Sequence, residues 1–332
     1  MTAVGLYVVA PSLLELVGAW PELDVVRPWW FAVLVLLEAG SFGCLWWLTR
    51  LALTRRQEPG VPGGGPPGWL DVASAQLAGV AASRVLPGGA ASAGVVQARL
   101  LMQAGQPAST VARALTAVGL LSTAVLLSLP ILTVPALLIG PPPARQLQLG
   151  LLVSLVLAVV IVALGVAALT WTSCVSFVGR MAGHVLRRAR RSMTPEAAAA
   201  ALVAQRDRVA EVFAERWVRA LGAGAANRMF DYAALVAALY AVGVEARPSE
   251  VLLAYVVSMA LGMVPLTPGG LGFVETGLTA MLVLVGADAD QAVLATLVFR
   301  LVSFWLPIPV GALAWAGWRL RRHGRPSERH TS

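Results

Sequence analysis

Residues 264–278 read VPLTPGGLGFVETGL, and residues 83–94 read SRVLPGGAASAG. Each Pro-Gly-Gly falls near the middle of a long apolar stretch, 251–286 in the first case and 72–102 in the second. Proline removes a backbone donor and clashes with the preceding turn, and paired glycine admits irregular backbone, so each stretch should break into two half-helices. Arms of roughly 12 to 17 residues at about 1.5 Å per residue reach ~18–25 Å, short of the ~30 Å of hydrocarbon. Two re-entrant hairpins, or at least two broken helices, are therefore predicted. In lipid, irregular backbone is tolerated only where protein buries it or where it lines a wet cavity, so both breaks point to a cavity.

The rest of the chain makes lipid the relevant solvent. Of 332 residues, 58% are hydrophobic and 13% charged, against roughly 45–50% and 25% in soluble domains. Apolar runs near 28–49, 111–139, 147–172, 221–241 and 291–318 have the length and character of membrane helices. Residues 3–18 read as a further membrane helix and not a signal peptide, having no basic region before them and no Ala-x-Ala after them.

All 25 basic residues are Arg, and the formal charge is +8. The arginines gather beside the spans: Arg50, Arg55 and Arg56, then a set from Arg180 to Arg219, then Arg319, Arg321, Arg322, Arg325 and Arg329. That placement suits anionic headgroups and not nucleic acid, and the positive-inside rule puts these segments, with the C-terminus, in the cytoplasm of a bacterial inner membrane. The short connections at 19–27, 140–146 and 242–249 fall outside.

With the Gly/Pro-rich linker 56–68 inside, the first hairpin would enter from the cytoplasm and the second, starting near 250, from the opposite face. Such an arrangement is that of an inverted-topology repeat with binding at the midplane. The predicted organisation is all-α: an N-terminal membrane helix over 1–19, a first half over 20–180 with its break in 72–102, an Arg-rich cytoplasmic connector over 181–220, a second half over 221–318 with its break in 251–286, and a basic tail over 319–332. Two full crossings at 251–286 satisfy the charge pattern equally.

Four charges lie at depth: Glu38 and Arg84 in the first half, Glu275 and Arg300 in the second. A charge at the bilayer centre costs roughly 2.5–3.5 kcal/mol, so all four need partners or a polar cavity. Arg84 and Arg300 are candidates to bind a lipid phosphate, Arg being suited to bidentate recognition, with Glu38 and Glu275 holding them or meeting a cationic group. The alternative is a pair of structural salt bridges locking helices together. With the break residues Pro87, Gly88, Gly89, Pro268, Gly269, Gly270 and Gly272, these four complete the candidate substrate site. Arg228 and Asp231 rank second, placed near a span's cytoplasmic start where snorkelling accounts for them.

Other chemistries find little support. Cys44 and Cys174 stand apart inside apolar runs, His184, His323 and His330 lie in Arg-rich segments, no Gly-Lys-Ser/Thr follows the glycine run, and the 17 acidic residues do not cluster for a metal. No cofactor and no enzymatic activity is expected.

The stretch VPLTPGGLGFVETGLTAMLVLVGADADQAVLATLVFRLVSFWLPIPVGAL (264–313) resembles the lysylphosphatidylglycerol synthase/flippase transmembrane domain family. AASRVLPGGAASAGVVQARLLMQAG (81–105) and LEAGSFGCLWWLTRLAL (37–53) resemble its first Pro-Gly block and second span. The resemblance implies a lipid-translocating domain, with Pro87, Gly88, Pro268, Gly269, Gly270, Gly272, Glu275 and Arg300 at motif positions. It also implies anionic or aminoacylated phospholipid, or a polyprenyl-linked lipid, as cargo. The chain ends about a dozen residues after its last span, where bifunctional members continue into a soluble aminoacyltransferase, so aminoacyl transfer is not expected. The rival expectation is a non-transporting membrane partner of a glycosyltransferase or lipid-synthesis enzyme; a homo-oligomer is compatible with both.

Overall fold

The computed structural model describes residues 27–54, 67–133 except 87, the isolated positions 152, 156, 159, 160, 163, 176, 180 and 181, and 194–323 except 214–215, 263–266 and 268–269. The predicted N-terminal helix 1–19, nearly all of the span 147–172, the outer connection 140–146, most of the linker 56–68, the tail beyond His323, and Pro87, Pro268 and Gly269 lie outside the described residues.

Among the described residues every regular element is helical. The first is α1 (Pro28–Leu53), followed by α2 (Trp69–Val85), α3 (Ala90–Gln103) and α4 (Ala108–Ser128), which tightens into a 3-10 turn at Leu129–Thr133. Then come α5 (Pro195–Phe213), α6 (Trp217–Ala241), α7 (Pro248–Leu261), α8 (Phe273–Leu284) and α9 (Ala289–Arg300). A π-helical segment, Leu301–Trp305, joins α9 to α10 (Pro307–His323). Proline starts α1 and α7, where its missing donor costs nothing.

Among the described residues, three stretches are long and apolar enough to cross a membrane: Pro28–Leu53, Ala108–Leu132 and the continuous run Ala289–Arg321. The expected span at 221–241 is present as α6, which is long enough at 25 residues but carries Asn227, Arg228 and Asp231 and is not among those three. It also starts earlier than expected, because Trp217 to Ala220, assigned to the connector, already belong to it. The rest of the connector contains α5, as its helical pattern predicted.

Both Pro-Gly-Gly segments break a helix. Gly88 and Gly89 adopt φ of 105° and 50°, and Gly270 and Gly272 adopt 74° and 83°, backbone that residues with a Cβ rarely enter. The arms α2, α3, α7 and α8 have 17, 14, 14 and 12 residues, the lengths the spacing predicted. In each hairpin the two arms pack on each other. Gly79 makes this possible in the first, since a Cβ there would lie 2.5 Å from the Gln97 side chain.

The central pair is α1 against α6, running antiparallel: Arg216 bonds the carbonyl of Thr54 at one end, and Asn227 bonds Ser41 near the middle. Leu34 on α1 joins Tyr232 to Val242 of α6, together with α7, α8 and α9, in one apolar cluster. Leu48, Ala52 and Leu53 join Ala220 and Ala223, together with α2, α3 and the first half of α4, in a second. Glu38, Ser41, Asn227, Arg228, Asp231 and, on α4, Ser122 fall along the chain between the two clusters, so a polar layer separates two apolar ones.

Helix α10 lies antiparallel against α2, with Arg84 beside Ser303 and Phe304 and Arg321 beside Ser74. Gly311 is the contact point: a Cβ there would collide with the Leu77 carbonyl oxygen and stand 2.7 Å from the Ala81 Cβ. Because backbone oxygen cannot yield, Gly311→Ala should force the helices apart and cost about 1–3 kcal/mol as overpacking does. Gly317→Ala, with nothing within 4 Å, should be neutral. Thermal unfolding in detergent checks both: a lowered midpoint for the first and an unchanged one for the second.

Candidate functional site

The polar layer encloses a cavity of about 430 Å³. Its walls come from α1 (Glu38, Ser41), the first hairpin (Gln76, Arg84, Gln97), α4 (Ser122), α6 (Asn227, Arg228, Asp231) and the C-terminal end of α9 with the π segment (Arg300, Ser303). Three of the four deep charges predicted from sequence, Glu38, Arg84 and Arg300, thus meet in one space.

Glu275 does not line the cavity; it supports it. Its Oε2 accepts from the backbone N–H of Gly272 at 2.8 Å, capping the start of α8 just after the break. Oε1 accepts from Arg300 Nε at 2.7 Å. A carboxylate at a helix N-terminus is favoured by the unpaired amides there, so the broken backbone itself fixes the group that holds Arg300. Arg300 is only 6% exposed, and its Nη2 has no hydrogen-bond partner.

Arg84 is held differently from the expected pairing with Glu38. Its guanidinium donates to the carbonyls of Ser303, at 2.6 Å, and Phe304. Pro307 offers no N–H, so the carbonyl of Ser303, four residues earlier, has no α-helical donor. Arg84 supplies one there and bonds the neighbouring Phe304 carbonyl as well. The Phe304 ring lies 4.8 Å from the Arg84 guanidinium carbon and 4.2 Å from that of Arg300, close enough for cation–π attraction to both.

Glu38 instead faces Asp231 and, less closely, Arg84. It is 6% exposed, and its Oε1 accepts no hydrogen bond. Asp231 accepts from the Tyr255 hydroxyl at 2.6 Å. Arg228, beside it, leaves its buried Nε without a partner. Because α6 begins at Trp217, Arg228 and Asp231 lie about 16 and 21 Å along it at ~1.5 Å per residue, near the middle of the helix and not at its start.

A neutral polar chain completes the wall. Gln97 donates to Gln76 at 3.0 Å and Gln76 to Thr49 at 2.5 Å, while Asn227 donates to both oxygens of Ser41. None of these was singled out from sequence, although Gln76 and Gln97 sit inside apolar arms where a buried amide needs a partner.

Among the described residues, the break glycines are not part of the cavity wall: Gly88 and Gly89 turn the first hairpin, Gly270 and Gly272 shape the second, and of the described residues of the second hairpin Met259 reaches the cavity. Pro87, Pro268 and Gly269 lie outside the described residues. Among the described residues no three His, Cys, Asp or Glu side chains gather to hold a metal ion.

An all-helical bundle with apolar spans, two broken helices and a buried charged cavity defines a polytopic membrane protein with an internal polar site. Residues 2–311 match the family described as Lysylphosphatidylglycerol synthase TM region, and the chain belongs to that family. A segment of 64 residues is 38% identical to the UPF0104 membrane protein PH1989 of Pyrococcus horikoshii, covering 19% of each chain. The chain thus aligns with about a fifth of the length of that relative.

Breaking a buried pair by removing one partner costs about 3–5 kcal/mol, whereas replacing both can be neutral. Glu275→Gln alone should therefore destabilise the protein strongly, and Glu275→Gln with Arg300→Met should recover part of the loss. A double-mutant cycle of thermal unfolding measures this; an additive cycle would show that the pair does not couple α8 to α9.

Proposed function

We propose that this protein moves a lipid between leaflets, accepting its headgroup in the 430 Å³ cavity. The observation that carries the reading is the set of unpartnered buried atoms around one space: Arg228 Nε and Arg300 Nη2 as donors, Glu38 Oε1 as acceptor. An unmade hydrogen bond at a buried polar atom costs about 1–3 kcal/mol, more when the group is charged. A headgroup bearing both phosphate and a cationic group would satisfy donors and acceptor together. Membership of the family supports this chemistry, and an anionic or aminoacylated phospholipid suits it best, with a polyprenyl-linked lipid as the next cargo to try.

In this reading the two hairpins are re-entrant, the halves are inverted copies, and transport proceeds by alternating access about the midplane without a catalytic step. The Arg-rich end, with Arg50 stacked on Trp69 at 4.7 Å and Arg319 on Trp315 at 4.2 Å, has the character of a basic, aromatic cytoplasmic interface. A bacterial inner membrane is the setting.

Proteoliposomes with fluorescent phosphatidylglycerol or its aminoacylated form in one leaflet test the proposal. The wild type should equalise the leaflets, and Arg228→Gln and Arg300→Gln should each slow movement at least tenfold. Arg113→Gln, whose half-buried side chain bonds the Ser109 carbonyl of its own helix and does not line the cavity, should leave the rate unchanged. Absence of movement for phospholipid and polyprenyl cargo alike would favour the partner of a lipid-synthesis enzyme. Orientation is checked separately by fusing alkaline phosphatase or green fluorescent protein after Ser332: only the fluorescent fusion should be active.

A further inference from the structure

A second cavity, of about 900 Å³, runs between the first hairpin and α10, on the opposite side of α2 from the polar layer. Its floor is made of small side chains, Ala78, Ala81, Ala82 and Ala312, beside the Gly311 contact, with Trp315 and Trp318 as one wall. One end is closed by Leu86 and Ile308 near the break; the other carries Arg99 and Arg319.

The two arginines sit at the same level. Gln97 bonds Gln76 across the hairpin and Arg321 bonds Ser74 across α2 and α10, so Arg99 and Arg319 fall within a turn of residue 75 on either side of α2. From there to Leu86 is about 11 residues, or ~17 Å at 1.5 Å per residue. Half of a ~30 Å hydrocarbon core is ~15 Å, the reach of one leaflet's acyl chain.

We infer that this groove binds one phospholipid with an anionic headgroup, its phosphate between Arg99 and Arg319 and an acyl chain along the alanine floor. The polar cavity is not involved; the inference rests on the re-entrant reading of the first hairpin and not on transport. Charge selects the occupant: two guanidiniums at one end of an otherwise apolar groove favour an anionic lipid over a zwitterionic one. The groove chemistry otherwise accepts any saturated or unsaturated chain.

The test is native mass spectrometry of the full chain, released from micelles after exchange into equimolar phosphatidylglycerol and phosphatidylcholine. The wild type should retain at least one phosphatidylglycerol in clear excess over phosphatidylcholine. Arg99→Gln with Arg319→Gln should lower the number retained by one, while Arg113→Gln, which lines neither cavity, leaves it intact. Ala312→Trp, placed at an exposed position, should block the chain and remove the same lipid with both arginines present. Should the arginine double variant unfold, the Ala312→Trp result decides. Retention of phosphatidylcholine equal to phosphatidylglycerol, or undiminished retention in the variant with a filled groove, would overturn the inference.

Discussion

Everything in the described structure depends on how charge is kept within an apolar bundle. Three guanidiniums, Arg84, Arg228 and Arg300, and three carboxylates, Glu38, Asp231 and Glu275, occupy the neighbourhood of one cavity. Each alone would be costly in hydrocarbon; together their formal charges cancel, which makes burial tolerable without supplying every hydrogen bond. The layer they form interrupts α1 and α6 at matching heights, with Ser122 continuing it on α4, and the apolar clusters on either side hold it in place.

The two broken helices serve that layer in unequal ways. The first hairpin contributes its own side chains, Gln76, Arg84 and Gln97, to the wall. The second works at one remove: its glycines create a free helix N-terminus, that terminus fixes Glu275, and Glu275 fixes Arg300. A polypeptide break in a membrane thus becomes a way of orienting a cation, because the unpaired amides at the break need an anion and the anion in turn needs a counter-charge.

Much of this was legible from residues alone. The Pro-Gly-Gly segments announced both breaks and the arm lengths, and the intramembrane charges announced a polar site. The partner of Arg300 was foreseeable because Glu275 stands just after a break. The partner of Arg84 was not foreseen, although its signal was present: Pro307 removes the donor for Ser303, and a carbonyl freed in lipid must be met by something. Arg228 and Asp231 were misplaced because the boundary of α6 was drawn four residues late, and a shift of about one turn moves a residue by ~5 Å in depth. That Glu38 faces Asp231 as well as Arg84 depends on the register of α1 against α6, which periodicity within one helix cannot reveal.

The Arg84 tie has a consequence for how such sequences can vary. A side chain at position 84 replaces a backbone donor that position 307 has deleted, and it addresses carbonyl oxygens that any residue at 303 would present. The tie itself puts no constraint on the side chain at 303, whereas Arg84 and Pro307, 223 residues apart in the chain by their numbering, constrain each other. Restoring an N–H at 307 would leave the guanidinium competing for an oxygen already taken, and losing the guanidinium would leave the proline's gap open. In an evolutionary record the two should appear and disappear as a pair, a long-range dependence written by one missing hydrogen atom.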